Sequence, residues 1–209
     1  MPSSTQPLGV VLAGGLARRM GGGDKARLRI GGRTILERVL EGFQPQCAAL
    51  IVNANGDPAR FSDTGLAIVA DSIPDFAGPL AGILAALDWA AAHSPELADV
   101  VSVPGDCPFL PHDLVARLLS ARAAARTPLA CARSGDQRHP VVALWPVDVR
   151  DDLRRALVEE GLRKIEAFTA RHGVAVADWP VRPFDPFFNV NTPDDAAEAE
   201  RIAALRCGA

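Results

Sequence analysis

Tyrosine is absent from this 209-residue chain, and Lys25 and Lys164 are its only lysines beside abundant arginine. The missing tyrosine, set against the surplus of alanine and arginine, reads as genome composition and not as function. Cysteine is scarce and scattered. Cys47, Cys107, Cys131 and Cys207 form no C-x-x-C pair, which argues against a zinc site and against a disulfide framework. No apolar run is long enough to span a membrane. Met1 to Pro7 is polar and lacks the charged start and apolar core of a signal peptide. These absences together predict a reduced, cytoplasmic protein. The formal net charge is −3 with no block of like charge, which speaks against nucleic acid or a membrane surface as partner. With 48% of its residues apolar, the chain can build a full core, and its length predicts one domain.

What is present is concentrated in one stretch, Leu8 to Lys25, reading LGVVLAGGLARRMGGGDK. A valine-rich run of strand length, Leu8 to Ala13, ends in Gly14-Gly15. Arg18, Arg19, Gly21, Gly22, Gly23, Asp24 and Lys25 follow. Glycines after a buried strand let bare backbone N–H groups close around an anion. Arginine and lysine add charge of the right sign for a triphosphate. In a chain that otherwise writes positive charge as arginine, a lysine beside the glycines suggests a compact point charge for phosphate. The two best-known nucleotide loops do not fit. G-x-G-x-x-G would need glycine where Leu16 and Arg19 stand, and a P-loop would need Ser or Thr in place of Ala26.

Short apolar strands are expected at Ala49 to Val52, Leu66 to Ala70 and Asp99 to Val103. Thr34-Ile35-Leu36-Glu37 is a capping box that opens a helix. Pro79 suits the first position of an alanine-rich helix running through Ala92. Pro111 to Arg122 is expected to be helical. Leu129 to Ala132 and Val141 to Trp145 read as a hairpin around Gly135-Asp136. Helices are then expected at Asp148 to Glu159, Gly161 to His172 and Asp194 to Leu205, with a strand at Val174 to Ala177. Alternating strands and helices predict a mostly parallel sheet covered on both faces. Ligands of such sheets sit beyond the carboxyl ends of the strands. The Gly14–Lys25 loop, Asn53, Asp71 and Asp106 all fall there.

Asp106, after a central strand and opposite an anion loop, suits Mg²⁺, which prefers one or two carboxylates plus phosphate oxygens. Asp71 and Asn53 suit a base or ribose. A carboxylate accepts well from the N1–H and N2–H of guanine, but residue chemistry alone does not choose guanine over cytosine. His139 is an acid, a base or an anion donor, or a surface residue. Asn191, Thr192 or Asp194 has an equally good reading as the cap of the last helix. No cysteine has a partner that would make it a nucleophile, and Asp106 would not favour a thiolate at Cys107. Trp89, Trp145 and Trp179 read as core or edge residues.

The pattern LAGG-x(3)-R-M-G-x-x-x-K resembles the signature loop of nucleotidyltransferases that activate a phosphate or sugar phosphate with an NTP. LAGGLARRMGGGDK is most similar to the loop of the molybdenum cofactor guanylyltransferases, which join GMP to molybdopterin. Gly14-Gly15 is closer to those enzymes than to cytidylyl relatives, which tend toward Ala-Ala-Gly. The similarity extends through Asp71 and Gly78-Pro79-Leu80-Ala81-Gly82, Pro104 to Pro111, Arg138-His139-Pro140 and Asn189-Val190-Asn191-Thr192-Pro193. It implies a three-layer, Rossmann-like α/β nucleotidyltransferase fold spanning residues 1–209. About 8–125 would bind nucleotide and about 126–205 the acceptor. It also implies catalysis by Arg19, Lys25 and Asp106, with Mg²⁺ on Asp106. GTP would contact Leu12, Ala13, Gly14, Gly15, Lys25, Asn53, Asp71 and Asp106. Arg138, His139, Asn189 and Asn191 would meet molybdopterin or molybdenum-molybdopterin. Other proteins of cofactor biosynthesis and acceptor molybdoenzymes are the implied protein partners. The alternatives are a related enzyme that uses CTP or a sugar phosphate, and a nucleotide-binding protein without turnover.

Overall fold

The structure, a computed structural model, describes residues 6–14, 25–73 and 78–207. Its strands alternate their side chains between two helical layers, and the sequence shows why. Val10, Ile51, Val100, Cys131 and Ala143 point into one hydrophobic cluster, while their neighbours Val11, Val52, Val101, Ala132 and Leu144 point into the other. That is the two-residue period of a strand buried on both faces. The central sheet holds β1 (Leu8–Leu12), β4 (Ala49–Asn53), β5 (Ala67–Val69), β6 (Asp99–Pro104), β7 (Leu129–Ser134), β8 (Gln137–Pro146) and β9 (Val174–Trp179). Its order is β5-β4-β1-β6-β8-β7-β9. Only β8 runs against the rest. A small hairpin, β2 (Arg29–Ile30) and β3 (Arg33–Thr34), stands apart.

Helices α1 (Ile35–Phe43), α3 (Leu114–Ala125) and α6 (Pro193–Cys207) cover one face of the sheet. Helices α2 (Pro79–His93), α4 (Arg150–Val158) and α5 (Ile165–His172) cover the other. The expected three-layer α/β architecture is therefore present. Thr34 caps α1 as its sequence predicts. Its hydroxyl accepts from the Glu37 N–H at 3.1 Å, and the Glu37 carboxylate accepts from the Thr34 N–H at 2.6 Å. The cap fixes where the helix begins, and so which side of it turns inward. Ile35, Leu36, Val39 and Phe43 are then fully buried, each worth roughly 1.5–3 kcal/mol of apolar transfer. Trp145 lies wholly in the core with its indole N–H on the Ser102 hydroxyl at 2.9 Å. Ser102 passes the chain on to the Val141 carbonyl at 2.6 Å.

Three helices begin later than the sequence predicts, α4 at Arg150 and not at Asp148 because a 3-10 turn, Val147–Val149, comes first. Helix α5 starts at Ile165 and not at Gly161, because Gly161 takes a φ of +65° that no α-helix accommodates. Helix α3 starts at Leu114, after a turn closed by the Leu114 N–H on the Pro111 carbonyl. No described helix is long and apolar enough to cross a membrane.

Candidate active site

The sheet register brings separated stretches of chain to one rim. Leu12 lies level with Asn53 on one side and Pro104 on the other, and Asn53 lies level with Val69. Because β8 is antiparallel, its first residues, Gln137 to His139, reach the same rim beside the end of β7. After β9 the chain returns along this edge to Asn191. Of the expected contributors, Asn53, Asp71, Asp106 and the last residue of the loop, Lys25, thus lie where parallel strands end.

Lys25 is the centre of the arrangement. Its ammonium donates to Asp106 Oδ2 at 2.7 Å and to the Asn191 side-chain carbonyl. Both members of the ion pair are largely withdrawn from solvent, at 13% and 23% exposure. Asp106 Oδ1 is buried and accepts no hydrogen bond from any described residue. A buried carboxylate oxygen without a donor is costly unless a ligand completes it. A hard cation suits it, provided phosphate oxygens and water fill the remaining positions. No cluster of three His, Cys, Asp or Glu side chains able to hold a metal occurs among the described residues. A divalent cation here would therefore lean on its nucleotide, as Mg²⁺ commonly does. The Gly105 N–H donates to the Leu12 carbonyl at 2.9 Å, seating the Asp106 loop on the end of β1. Leu12, Ala13, Lys25, Ala26 and Asp106 line a small pocket of about 60 Å³ there. Gly14 is exposed, with open space where a side chain would be. Gly15 and Arg19 lie outside the described residues.

A second group sits beyond β4 and β5. The Asn53 amide donates to the Val69 carbonyl at 3.1 Å and to Asp71 Oδ1 at 2.9 Å. Asn55 donates to Asp71 Oδ2 at 2.7 Å, and its own side-chain carbonyl accepts from the Asp71 N–H at 2.9 Å. Gly82 of α2 makes room for this network. A Cβ there would stand 2.2 Å from Asn53 Oδ1. Asn53 and Asp71 stand out in the sequence as candidates, and Asn55 does not. The signal was present as N-x-N at a strand end, where alternate residues point the same way.

The third group comes from the chain between β9 and α6. The Val190 N–H donates to the Asp106 carbonyl at 3.0 Å. The Cys107 thiol donates to Asn189 Oδ1 at 2.6 Å and approaches the Phe187 carbonyl at 3.5 Å. Burial, followed by the neighbouring Asp106 charge, pushes that thiol well above its ordinary value. Cys107 is therefore a neutral donor and not a nucleophile. Burial raises Cys131 as well, and Cys47 to about 12. His139 packs on Phe187, centroid to centroid 4.8 Å, with Nε2 2.7 Å from the Ser134 hydroxyl. Burial lowers its pKa, with the Asp185 charge opposing.

The sequence candidates do not all fall together. Asn191 sits with Lys25 and Asp106, while Asn189 sits one step behind, on Cys107. The capping role at α6 belongs to Thr192 and Asp195, each accepting from the other's N–H at 3.1 and 2.8 Å. That leaves the Asn191 side chain for the site. Arg138 and His139 part company. His139 meets the Phe187 side of the sheet, whereas Arg138 lines a separate pocket of about 170 Å³ with Cys131, Glu166 and Thr169 on the α5 side.

A three-layer α/β fold with a lysine–aspartate centre at the ends of its strands defines a nucleotidyltransferase. Residues 9–175 match the MobA-like NTP transferase domain. The molybdenum cofactor guanylyltransferase of Bradyrhizobium sp. (strain ORS 278) is 59% identical over 207 residues, 98% of either chain. That of Nitrobacter hamburgensis is 60% identical over 200 residues, 96% of either chain. In structure, the molybdopterin-guanine dinucleotide biosynthesis protein A of Archaeoglobus fulgidus superposes with a TM-score of 0.71 at 27% identity, covering 95% of this chain and 99% of that one. The chain belongs to the molybdenum cofactor guanylyltransferase family.

Proposed function

We infer that this protein transfers GMP from GTP to the phosphate of molybdopterin or molybdenum-molybdopterin, forming the guanine dinucleotide cofactor and pyrophosphate. The observation that carries the reaction type is the Lys25–Asp106–Asn191 centre with its spare carboxylate oxygen. It lies between a polar clamp suited to a nucleoside and a segment suited to an acceptor. The choice of GTP and molybdopterin follows from the named relatives.

The transfer is an in-line displacement. An oxygen of the acceptor phosphate attacks the α-phosphorus, and the bond to the β-phosphate oxygen breaks. The attacking oxygen is already ionised, so no general base is needed. Catalysis is then positioning plus charge stabilisation. Lys25, held by Asp106 and Asn191, places its ammonium beside the α-phosphate. Backbone N–H groups of Gly14 and Gly15 and the guanidinium of Arg19 would receive the remaining phosphate charge. Asn53 and Asp71 fix the nucleoside, and Asn189, Asn191 and His139 face the acceptor. Asp106 Oδ1 would hold Mg²⁺, which when bound offsets charge on the phosphate oxygens. Arg138 faces the α5 side of the sheet, away from this centre. The site requires no membrane or nucleic acid, in keeping with a cytoplasmic enzyme.

Titration calorimetry with GTP, CTP, ATP and UTP in the presence of Mg²⁺ tests the nucleotide. Preference for GTP, with pyrophosphate released only when molybdopterin is added, is the expected result. Preference for CTP would transfer the same chemistry to another substrate. Binding without pyrophosphate release under any acceptor would remove the enzymatic reading.

A further inference from the structure

Asp71 is half-buried and is held by an asparagine amide on each carboxylate oxygen. A carboxylate has about four lone-pair positions, two on each oxygen. One on Oδ1 is taken by Asn53 at 2.9 Å and one on Oδ2 by Asn55 at 2.7 Å. Among the described residues, each oxygen keeps one lone pair. Asn55 also accepts from the Asp71 N–H at 2.9 Å, so it grips backbone and side chain together. Asn53 cannot do this alone, since it holds one oxygen and leaves the carboxylate free to swing about that contact. With both amides in place, the carboxylate is fixed at both oxygens, and each still has an acceptor position to offer.

We propose that Asn55 is a positioning residue for base selection: it locks Asp71 so that both carboxylate oxygens read adjacent N–H donors. This rests on the reading of Asp71 as a nucleoside contact. Guanine alone among the common bases presents two neighbouring donors, N1–H and N2–H, on its Watson–Crick edge. Cytosine and adenine each set a single amino donor beside a ring-nitrogen acceptor, and uracil flanks its one N–H with carbonyls. Against a locked carboxylate those bases leave one oxygen facing a lone pair. Against a swinging carboxylate they lose less, because Asp71 can turn to offer a single oxygen. Asn55 thus acts on discrimination more than on binding itself.

The test pairs the Asn55→Ala variant with removal of the N2 amino group, using GTP and inosine triphosphate as probes with Mg²⁺. In the unaltered protein, dissociation constants from calorimetry are expected to favour GTP by roughly tenfold or more, the scale for a hydrogen bond to a charged group. In Asn55→Ala that ratio should fall to within about two- to threefold. Asn55→Asp should behave likewise, because its carboxylate keeps the acceptor for the Asp71 N–H but repels Oδ2. Asn55 is exposed, and unchanged melting temperatures would show that both variants fold. An unchanged GTP-to-inosine ratio in folded variants overturns the proposal. So does a collapse in discrimination against 2′,3′-dideoxy-GTP instead, since Asp71 would then be reading the ribose. If the unaltered protein binds no nucleotide, the functional reading falls, an outcome distinct from the failure of Asn55.

Discussion

The two ends of the rim are built in different ways. At the nucleoside end, Asn53, Asn55 and Asp71 come directly off parallel strands β4 and β5, and each hydrogen bond runs between neighbouring strand ends. At the acceptor end, Asn189 and Asn191 come from an irregular segment after β9. That segment is fastened to the Asp106 loop by the Val190 N–H and the Cys107 thiol. The first end is rigid by construction. The second is rigid only as long as its few fastenings hold. Lys25 is the point where the two meet, because its ammonium touches Asp106 from β6 and Asn191 from the acceptor segment.

Removing that junction should have the largest effect. Lys25→Ala and Asp106→Ala are each expected to lower turnover at least roughly a hundredfold, the scale for lost charge stabilisation at a reacting centre. Pyrophosphate release under saturating GTP and acceptor is the assay. Lys25→Ala also leaves Asp106 Oδ2 without its donor, while Asp106→Ala leaves Lys25 with Asn191 alone. The two losses should therefore not add in the double variant. Near-normal turnover in either single variant would mean that the ends do not meet in catalysis.

The next effect separates the ends. Gly82→Ala places a methyl 2.2 Å from Asn53 Oδ1 and 3.0 Å from Leu12 Cδ2. Relief requires Asn53 to leave Asp71 or α2 to shift. The expected cost is about 1–3 kcal/mol of stability, with weaker GTP binding and an unaltered acceptor KM. At the other end, Cys107→Ala removes the thiol donor and leaves Asn189 Oδ1 without it. Asn189 is exposed, so water can take the donor's place. The stability cost should be about 0.5–1.5 kcal/mol, that of one net hydrogen bond, while the acceptor KM rises several-fold and GTP affinity stays. Cys107→Ser, which keeps a donor, should recover part of the loss. If both variants altered GTP and acceptor alike, the rim would be one mechanical unit and the contrast would be false.

The same contrast explains what could be read before folding. The capping box at Thr34, the strand alternation and the placement of Asp71 and Asp106 after strands all follow from local rules, and the structure repeats them. Asn55 escaped because an exposed asparagine before a glycine reads as an ordinary turn. Its partner Asp71 is 16 residues away, a separation that no periodicity links. Arg138 and His139 separate for the opposite reason. They are adjacent in sequence, but on β8 adjacency places them on opposite faces. The Cys107–Asn189 contact spans 82 residues and depends on an irregular segment folding back.

The smallest expected effect reports on the acceptor end through pH. His139 is held neutral by burial among Ser134 and Phe187, with the Asp185 charge pulling the other way. Its folded pKa therefore lies below the ordinary 6.5. The unfolded chain takes up this proton first as pH falls. The resulting stability is fully present above about 6.5 and is lost progressively as pH drops toward the folded value. His139→Gln removes the titration while retaining a side-chain hydrogen-bonding group near Ser134. The melting temperature of the variant should consequently fall less than that of the unaltered protein between pH 7 and pH 5. Parallel curves would show that His139 does not titrate differently on folding. A steeper fall in the variant would mean that protonation stabilises this end, with Asp185 outweighing burial.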